Sequence, residues 1–444
     1  MNVRIVFCAV FSVLCSVSSG QWLETTIDLR DSLGGLTWPQ CLAYNSENNT
    51  IYVAGDSGHC IVAIDGATNA AIARIPSELY GRSLCYNPQD NKVYCANFNS
   101  SNVTVIDGAS NQVIAVVGVG NAPFALCYNS GNNKVYCANN ASDNVTVIDG
   151  SSDQVIATVV VGERPTALCY NPQSNTVYCS NEHDWNVSVI DGAGDTVVAT
   201  VAAGNGPHEL GYDPRHNRVY CANWDGGDVT VIDGASNQPI ATVETGGLTS
   251  AFSFSPQNDN VYCANTADDD VSVIDGTSSG VIATLVTPDG PCALSYAFQN
   301  NRIYCACWVG DSVVVIDGSS NLVLRTIAVG GSPVALCYNP VQNRTYVANR
   351  LNSTISVLRD SAGGVEEGCP NPYASRYVLE QTISRGILCL PVSPRPRVSA
   401  SLLDASGRTV MALAPGPNDV RHLAPGVYFV REEPQAIRKV IITR

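Results

Sequence analysis

The chain has 444 residues and a formal net charge of −15, with 14% charged and 45% hydrophobic residues. An acidic surface repels phosphate backbones and anionic lipid, so nucleic acid and membrane surfaces are excluded as partners by bulk electrostatics. Gly (37), Asn and Ser are abundant beside Val, Ile and Tyr, and Met (2) is scarce; this composition belongs to many short strands joined by tight turns, not to a disordered chain.

The N-terminus carries Arg4, an apolar run over 5–17, and then Ser18, Ser19 and Gly20. That layout predicts a secretory signal peptide over residues 1–20, cleaved near Gly20–Gln21. The run is too short to span a bilayer comfortably, and no other apolar stretch is long enough, so the mature chain is expected to have no membrane span. Cys15 follows Leu14, where a lipoprotein signal needs a small residue.

Residues 22–360 repeat with a period of 42. One tyrosine column reads Tyr44, Tyr86, Tyr128, Tyr170, Tyr212, Phe254, Tyr296 and Tyr338, and a second reads Tyr52, Tyr94, Tyr136, Tyr178, Tyr220, Tyr262, Tyr304 and Tyr346. An aspartate column runs from Asp65 through Asp107, Asp149, Asp191, Asp233 and Asp275 to Asp317, with Arg359 in the eighth copy. Each unit holds four strand-like runs, a to d, typified by ALCYN, VYCAN, NVTVID and VIATV. Asn, Gly, Asp and Pro bound them, as turn residues that tolerate left-handed dihedrals or cap their own turns. Four short strands per unit of this length predict a β-propeller blade. Strand d follows only the first seven units, and residues 23–29 can supply the missing one. The prediction is an all-β, eight-bladed propeller closed by an N-terminal strand, with seven blades as the alternative.

Strings such as "VYCANFNSSNVTVIDGASNQVIAVVGVGNAP" resemble the YVTN family of β-propeller repeats over residues 22–360. The resemblance implies a secreted or periplasmic propeller, often surface-associated. The chain is also similar to the propellers of lactonases and of haem d1 nitrite reductases.

A residue present seven times is structural, because a catalytic group acts once. The repeated Asp and Asn columns therefore read as turn chemistry, and function is expected where the repeat is broken. The a–b and c–d turns share one face of a propeller and are nearly invariant here; the b–c and d–a loops share the other and vary. The position opening each a strand reads Gln40, Arg82, Phe124, Thr166, His208, Ser250, Cys292 and Val334. If strand a is innermost, this column rings the channel mouth. The ligand-binding candidates are Arg82, His183, Asp184, Trp185, His208, Glu209, Trp224, Asp225, Trp308 and Arg350. Exposed tryptophans on one face suit sugar stacking or protein contact; the plainer reading is that each covers its neighbouring blade.

Metal, haem and triad signals are poor. His183 and His208 come from adjacent units, Cys305 and Cys307 form a lone CxC, and there is no C-x-x-C-H or G-x-S-x-G. Neither a catalytic residue nor a cofactor is expected. Of 18 cysteines, Cys8 and Cys15 lie in the leader. Centring the a–b hairpin on its turn sets Cys85 opposite Cys95, Cys127 opposite Cys137 and Cys169 opposite Cys179, within disulfide reach. The reading favoured here is that these columns want a small buried residue.

Residues 361–375 break the period and read as a linker. Residues 376–444 alternate apolar runs with Gly and Pro turns, which suggests a small antiparallel β-sandwich. Pro370-Asn371-Pro372, Leu403-Asp404 with Gly407-Arg408, Gly426-Val427-Tyr428-Phe429 and Lys439 resemble the C-terminal sorting domain of type IX secretion cargo. That resemblance implies type IX machinery as a partner and a secreted or outer-surface location. The leading functional expectation is an exported, non-enzymatic module that binds protein or polysaccharide. The alternative is a lactonase-like enzyme, or a redox protein with a metal or haem at the channel mouth.

Overall fold

A computed structural model describes residues 20–30 and 35–360, together with the strands of a C-terminal unit between 382 and 442. Residues 1–19 of the predicted signal peptide and the whole of the predicted linker lie outside the described residues. No described helix is long and apolar enough to cross a membrane.

Residues 37–360 and the strand Gln21–Asp28 form eight four-stranded antiparallel sheets. Each is a blade, with strand a innermost and d outermost, and the inner strands of successive blades touch around the ring, blade 8 to blade 1 included. The eighth blade is built from Pro333–Asn339, Arg344–Asn349 and Thr354–Asp360, with Gln21–Asp28 as its outer strand. The ring is therefore closed by the N-terminal segment, and its last edge is covered.

The core lies between blades. All eight tyrosines of the second column are fully buried. Each has a polar tip that needs a partner, and most find it in the c–d turn of the next blade: Tyr94 and Tyr136 donate to Asp153 and Asp195, each at 2.8 Å. Asn97 repeats a second structural pattern, donating to Asn102 and Thr104 across the b–c hairpin at 2.7 and 2.8 Å. The c–d turn aspartates Asp107, Asp149, Asp233 and Asp275 accept bonds from the turn serines, which hold their carboxyls below the usual range. These columns are tied into turns and blade junctions.

The cysteine pairing expected from hairpin centring is off by one residue. Leu84 faces Cys95 and Cys85 faces Tyr94, and the same holds for Cys127 with Tyr136 and Cys169 with Tyr178. The loop has an even number of residues, so its centre falls between two of them, and a one-residue shift moves a side chain to the other face. Cys85 packs toward the following blade with Leu126, whereas Cys95 packs toward the preceding one with Tyr52. The fourteen described cysteines are all free. Size is what this column selects: where Phe252 replaces the usual Leu, its neighbour Gly211 replaces Cys, and a Cβ on Gly211 would lie 2.9 Å from the Phe252 Cβ. Burial pushes the Cys95, Cys127 and Cys337 thiols up to about 12. Thiolate is the reactive form, so native protein is expected to resist iodoacetamide at Cys95, Cys127 and Cys337, and to take it up at all fourteen described cysteines in denaturant. Protection that persists in denaturant until a reductant is added would contradict the free-thiol assignment.

The C-terminal unit spans Glu367–Arg444. Its described strands form a five-stranded and a two-stranded sheet. Pairing among these strands is antiparallel except at one pair, where Thr382–Ser384 runs parallel to Ala436–Ile442.

Candidate functional site

Every inner strand carries a β-bulge where it leaves the channel mouth. In blade 5 the pairing steps from Pro207 opposite Asn223 to Glu209 opposite Ala222, leaving His208 as the extra residue. Arg82, Phe124 and Thr166 hold the same place in blades 2 to 4. A bulge re-aims its extra side chain, so this column is turned out of the ladder at the channel lip.

Four blades converge there. The Arg82 guanidinium lies 4.2 Å above the Phe124 ring. Thr166 is small and turned aside to the Pro207 carbonyl at 3.2 Å. Phe124 of blade 3 therefore reaches past it to meet the His208 ring of blade 5 edge-on, with centroids 6.5 Å apart. His208 in turn lies against Trp224, centroids 4.4 Å apart. A concave cleft of about 310 Å³ opens beside them, lined by Phe124, Arg164, Glu182, His208, Trp224 and Asp225 among others. Gly206, at φ +70, permits the close approach of the Asp225 loop: a Cβ there would lie 2.9 Å from the Asp225 carboxylate.

The electrostatics of the cleft follow from burial. His208 is pushed down to about 4, chiefly by desolvation and then by the positive charges of Arg82 and Arg164. Its Nδ1 is buried without a hydrogen-bond partner. Glu209 is pushed up to about 7 by burial, against the opposing pull of a backbone amide and Arg82. Arg82 makes no ion pair among the described residues, whereas Arg164 is engaged by His183 at 2.9 Å and Glu182 at 3.7 Å. Between about pH 4 and 7 the site thus presents one uncommitted cation, a neutral imidazole and an aromatic shelf.

The sequence-derived candidates divide by location. His208, Trp224 and Asp225 line the cleft, Arg82 lies at its edge over the Phe124 ring, and Glu209 follows His208 in the inner strand. His183 joins it through Arg164. Asp184 accepts from the Glu163 amide at 2.9 Å, a loop clasp that Ser142 and Asp268 repeat in other blades. Trp185 is 57% exposed, apart from this cleft's lining. Trp308 packs against Gly290 in blade 7, and Arg350 pairs with Asp56 at 2.7 Å between blades 8 and 1.

Sequence reasoning passed over Phe124 as a candidate, along with Arg164 and Glu182. Arg164 occupies a d–a loop position held in the left-handed region in every blade, where its counterparts include Trp38, Tyr80 and Leu248. Non-glycine residues there are uncommon, but only the fold shows the position overlooking the cleft.

The profile of the YncE-like β-propeller family matches residues 12–340. Among solved structures, the chain is similar to Kuenenia stuttgartiensis hydrazine synthase at 18% identity and TM-score 0.53, covering 64% of this chain and 96% of that one. At that identity the likeness concerns the fold alone. No curated protein sequence matches.

Proposed function

Since the chain belongs to the YncE-like β-propeller family, a scaffold whose chemistry must be read from its sites, we propose that it is an exported binding module for polysaccharide bearing carboxylate groups. The supporting observation is the pairing of Arg82, uncommitted to any ion pair among the described residues, with the aromatic shelf of Phe124, His208 and Trp224. A guanidinium offers a planar fork of donors to a carboxylate. An indole face offers a stacking surface for the apolar side of a sugar ring. The cleft's volume of about 310 Å³ lies at the small end of the range of small-molecule sites. Export and surface location rest on the signal-peptide layout and on the tail's resemblance to type IX cargo.

Calorimetry with an oligouronate and with its carboxyl-reduced, neutral counterpart tests this reading. The wild type is expected to prefer the acidic oligomer, and Trp224→Ala and Arg82→Ala each to weaken it about tenfold, which corresponds to about 1.4 kcal/mol. Equal affinity for the neutral oligomer, or unchanged binding by both variants, would sink it.

A second reading, catalysis at the same cleft, is favoured by one observation. His208 and Glu209 are neighbours whose proton affinities are displaced in opposite directions, a pattern that accompanies paired acid and base roles. Prolonged incubation with the same oligouronate distinguishes the two readings: shorter products, lost in His208→Ala, would establish the enzyme.

A further inference from the structure

On the opposite face of the ring, neighbouring blades are sutured by amides. Asn45 donates to Asn91 at 2.7 Å, Asn87 to Asn133 at 2.9 Å, Asn129 to Asn175 at 2.9 Å and Asn171 to Asn217 at 2.8 Å. Asn339 repeats the bond to Asn49 where the ring closes, at 2.9 Å. Between blades 5 and 6 both members of the suture are carboxylates, Asp213 and Asp259. A third change accompanies them, since the turn position that is Asn48, Asp90 or Asn132 elsewhere is His216 here.

Two carboxylates cannot replace a donor–acceptor amide pair, because neither has a hydrogen to give. His216 Nδ1 sits between them, 2.9 Å from Asp213 Oδ2 and 3.3 Å from Asp259 Oδ1. Its single hydrogen serves Asp213, and Asp259 Oδ1 is left buried without a hydrogen bond. Asp213 is fully buried. A cavity of about 130 Å³ lies at the same junction and reaches Asp213, Gly211 and Tyr220. The Tyr220 hydroxyl is also buried and unpartnered.

We propose that Asp213, His216 and Asp259 bind a first-row divalent cation that replaces the missing amide suture between blades 5 and 6. The three ligand atoms lie within 4.8 Å of one another. Bonds of about 2.0–2.2 Å to oxygen and nitrogen place neighbouring ligands about 3.0–3.4 Å apart, near the two observed spacings. One imidazole and two carboxylates suit Mn²⁺ or Zn²⁺, with the remaining positions open to water. Arg215 is the opposing charge, its Nε 3.9 Å from Asp259 Oδ1; its side chain is 55% exposed, and its Nη1 donates to the Pro256 carbonyl at 3.1 Å.

The repeat supplies the controls. Asp213→Asn and Asp259→Asn each install the residue found at sibling junctions, so both variants are expected to fold. Full-length, chelator-treated protein is titrated with MnCl₂, which the buried thiols bind poorly, while thermal unfolding is followed in parallel. The wild type is expected to bind one Mn²⁺ per chain and to gain several degrees in Tm. The variants should lose at least tenfold in affinity and show no gain, starting from a Tm in chelator at or above the wild type's. No Mn²⁺ binding by the wild type overturns the proposal. So does binding that both variants retain, which would put the ion elsewhere.

Discussion

Deleting Gln21–Asp28 is expected to abolish the monomeric propeller, giving aggregated protein or a Tm lowered by well over 10 °C. The strand pairs with Thr354–Asp360 along most of its length, and its removal bares an edge ready to pair with another chain. Ile27 leaves a cluster that holds Tyr346, Ile355 and Val357. Gln21 gives up its bond to Asp360, at 2.7 Å, and Arg325 its bond to the Gln21 carbonyl, at 2.6 Å. The largest single loss is electrostatic. Arg344 is nearly buried, donates to Glu24 Oε2 at 2.7 Å, and also holds the Gly66 and Ala67 carbonyls of blade 1 at 2.8 and 2.9 Å. Removing Glu24 leaves that charge with carbonyl partners only. Breaking a buried pair costs about 3–5 kcal/mol; the two carbonyls place Glu24→Ala toward the low end. Size-exclusion chromatography and thermal denaturation of the deletion and of Glu24→Ala check this. A deletion variant that stays monomeric with an unchanged Tm would mean that the strand is not what closes the ring.

Glu209→Ala is expected to stabilise the protein at pH 8 by on the order of 2 kcal/mol, and to change little at pH 4.5. The corresponding position is Ala125, Ala167, Ala251, Ala293 and Ala335 in other blades, so the substitution restores a residue the scaffold already accommodates. The sign follows from the folded carboxyl's rise from 4.5 to about 7. Below 4.5 both folded and unfolded chains carry the proton. Between 4.5 and 7 only the folded chain keeps it, so stability falls as pH rises through that window. The full shift would amount to about 3 kcal/mol; the carboxyl's partial exposure reduces it. His208 acts oppositely. Its folded value of about 4 lies below the ordinary 6.5, so its contribution grows as pH rises from about 4 to 6.5. Urea denaturation of the wild type and Glu209→Ala across pH 4–8 isolates the glutamate. The same ionisation places a negative charge beside Arg82, so oligouronate affinity should fall as pH rises through 7 in the wild type and stay flat in Glu209→Gln. A pH-independent stability difference between wild type and Glu209→Ala would contradict the burial assigned to this carboxyl.

The fold was legible because the repeat states it eight times. Blade count, strand order and N-terminal closure all follow from the 42-residue period and from one missing d strand. The same repetition identified the Asp107 and Asn97 columns as structural. Register was not legible: the cysteine pairing failed because an even-numbered turn and an odd-numbered one look alike in sequence but place Cys85 and Cys95 on the same face or on opposite faces. The bulge was equally hidden. Strict alternation would send His208 and Glu209 to opposite faces of the sheet, whereas the extra residue turns the imidazole onto the lip. The cleft was half legible. Breaks in the repeat pointed to Arg82, His208 and Trp224, but equal weight fell on Trp308 and Arg350, which lie in other blades. Sequence shows that a position departs from its column; only the ring shows which departures share one side of the channel. On the other face, sequence did not single out Asp213 and Asp259, because their meeting across a blade junction is a fact of three dimensions.

The most direct test of carboxylate-sugar binding at this cleft is a crystal structure of the wild-type propeller soaked with the oligouronate that it binds in solution. The expected result is a sugar ring stacked on Trp224, with its carboxylate on the Arg82 guanidinium. Density for the oligomer at Trp308, at the Arg350–Asp56 pair or on the outer strands, with the blade 2–5 cleft empty, would contradict it.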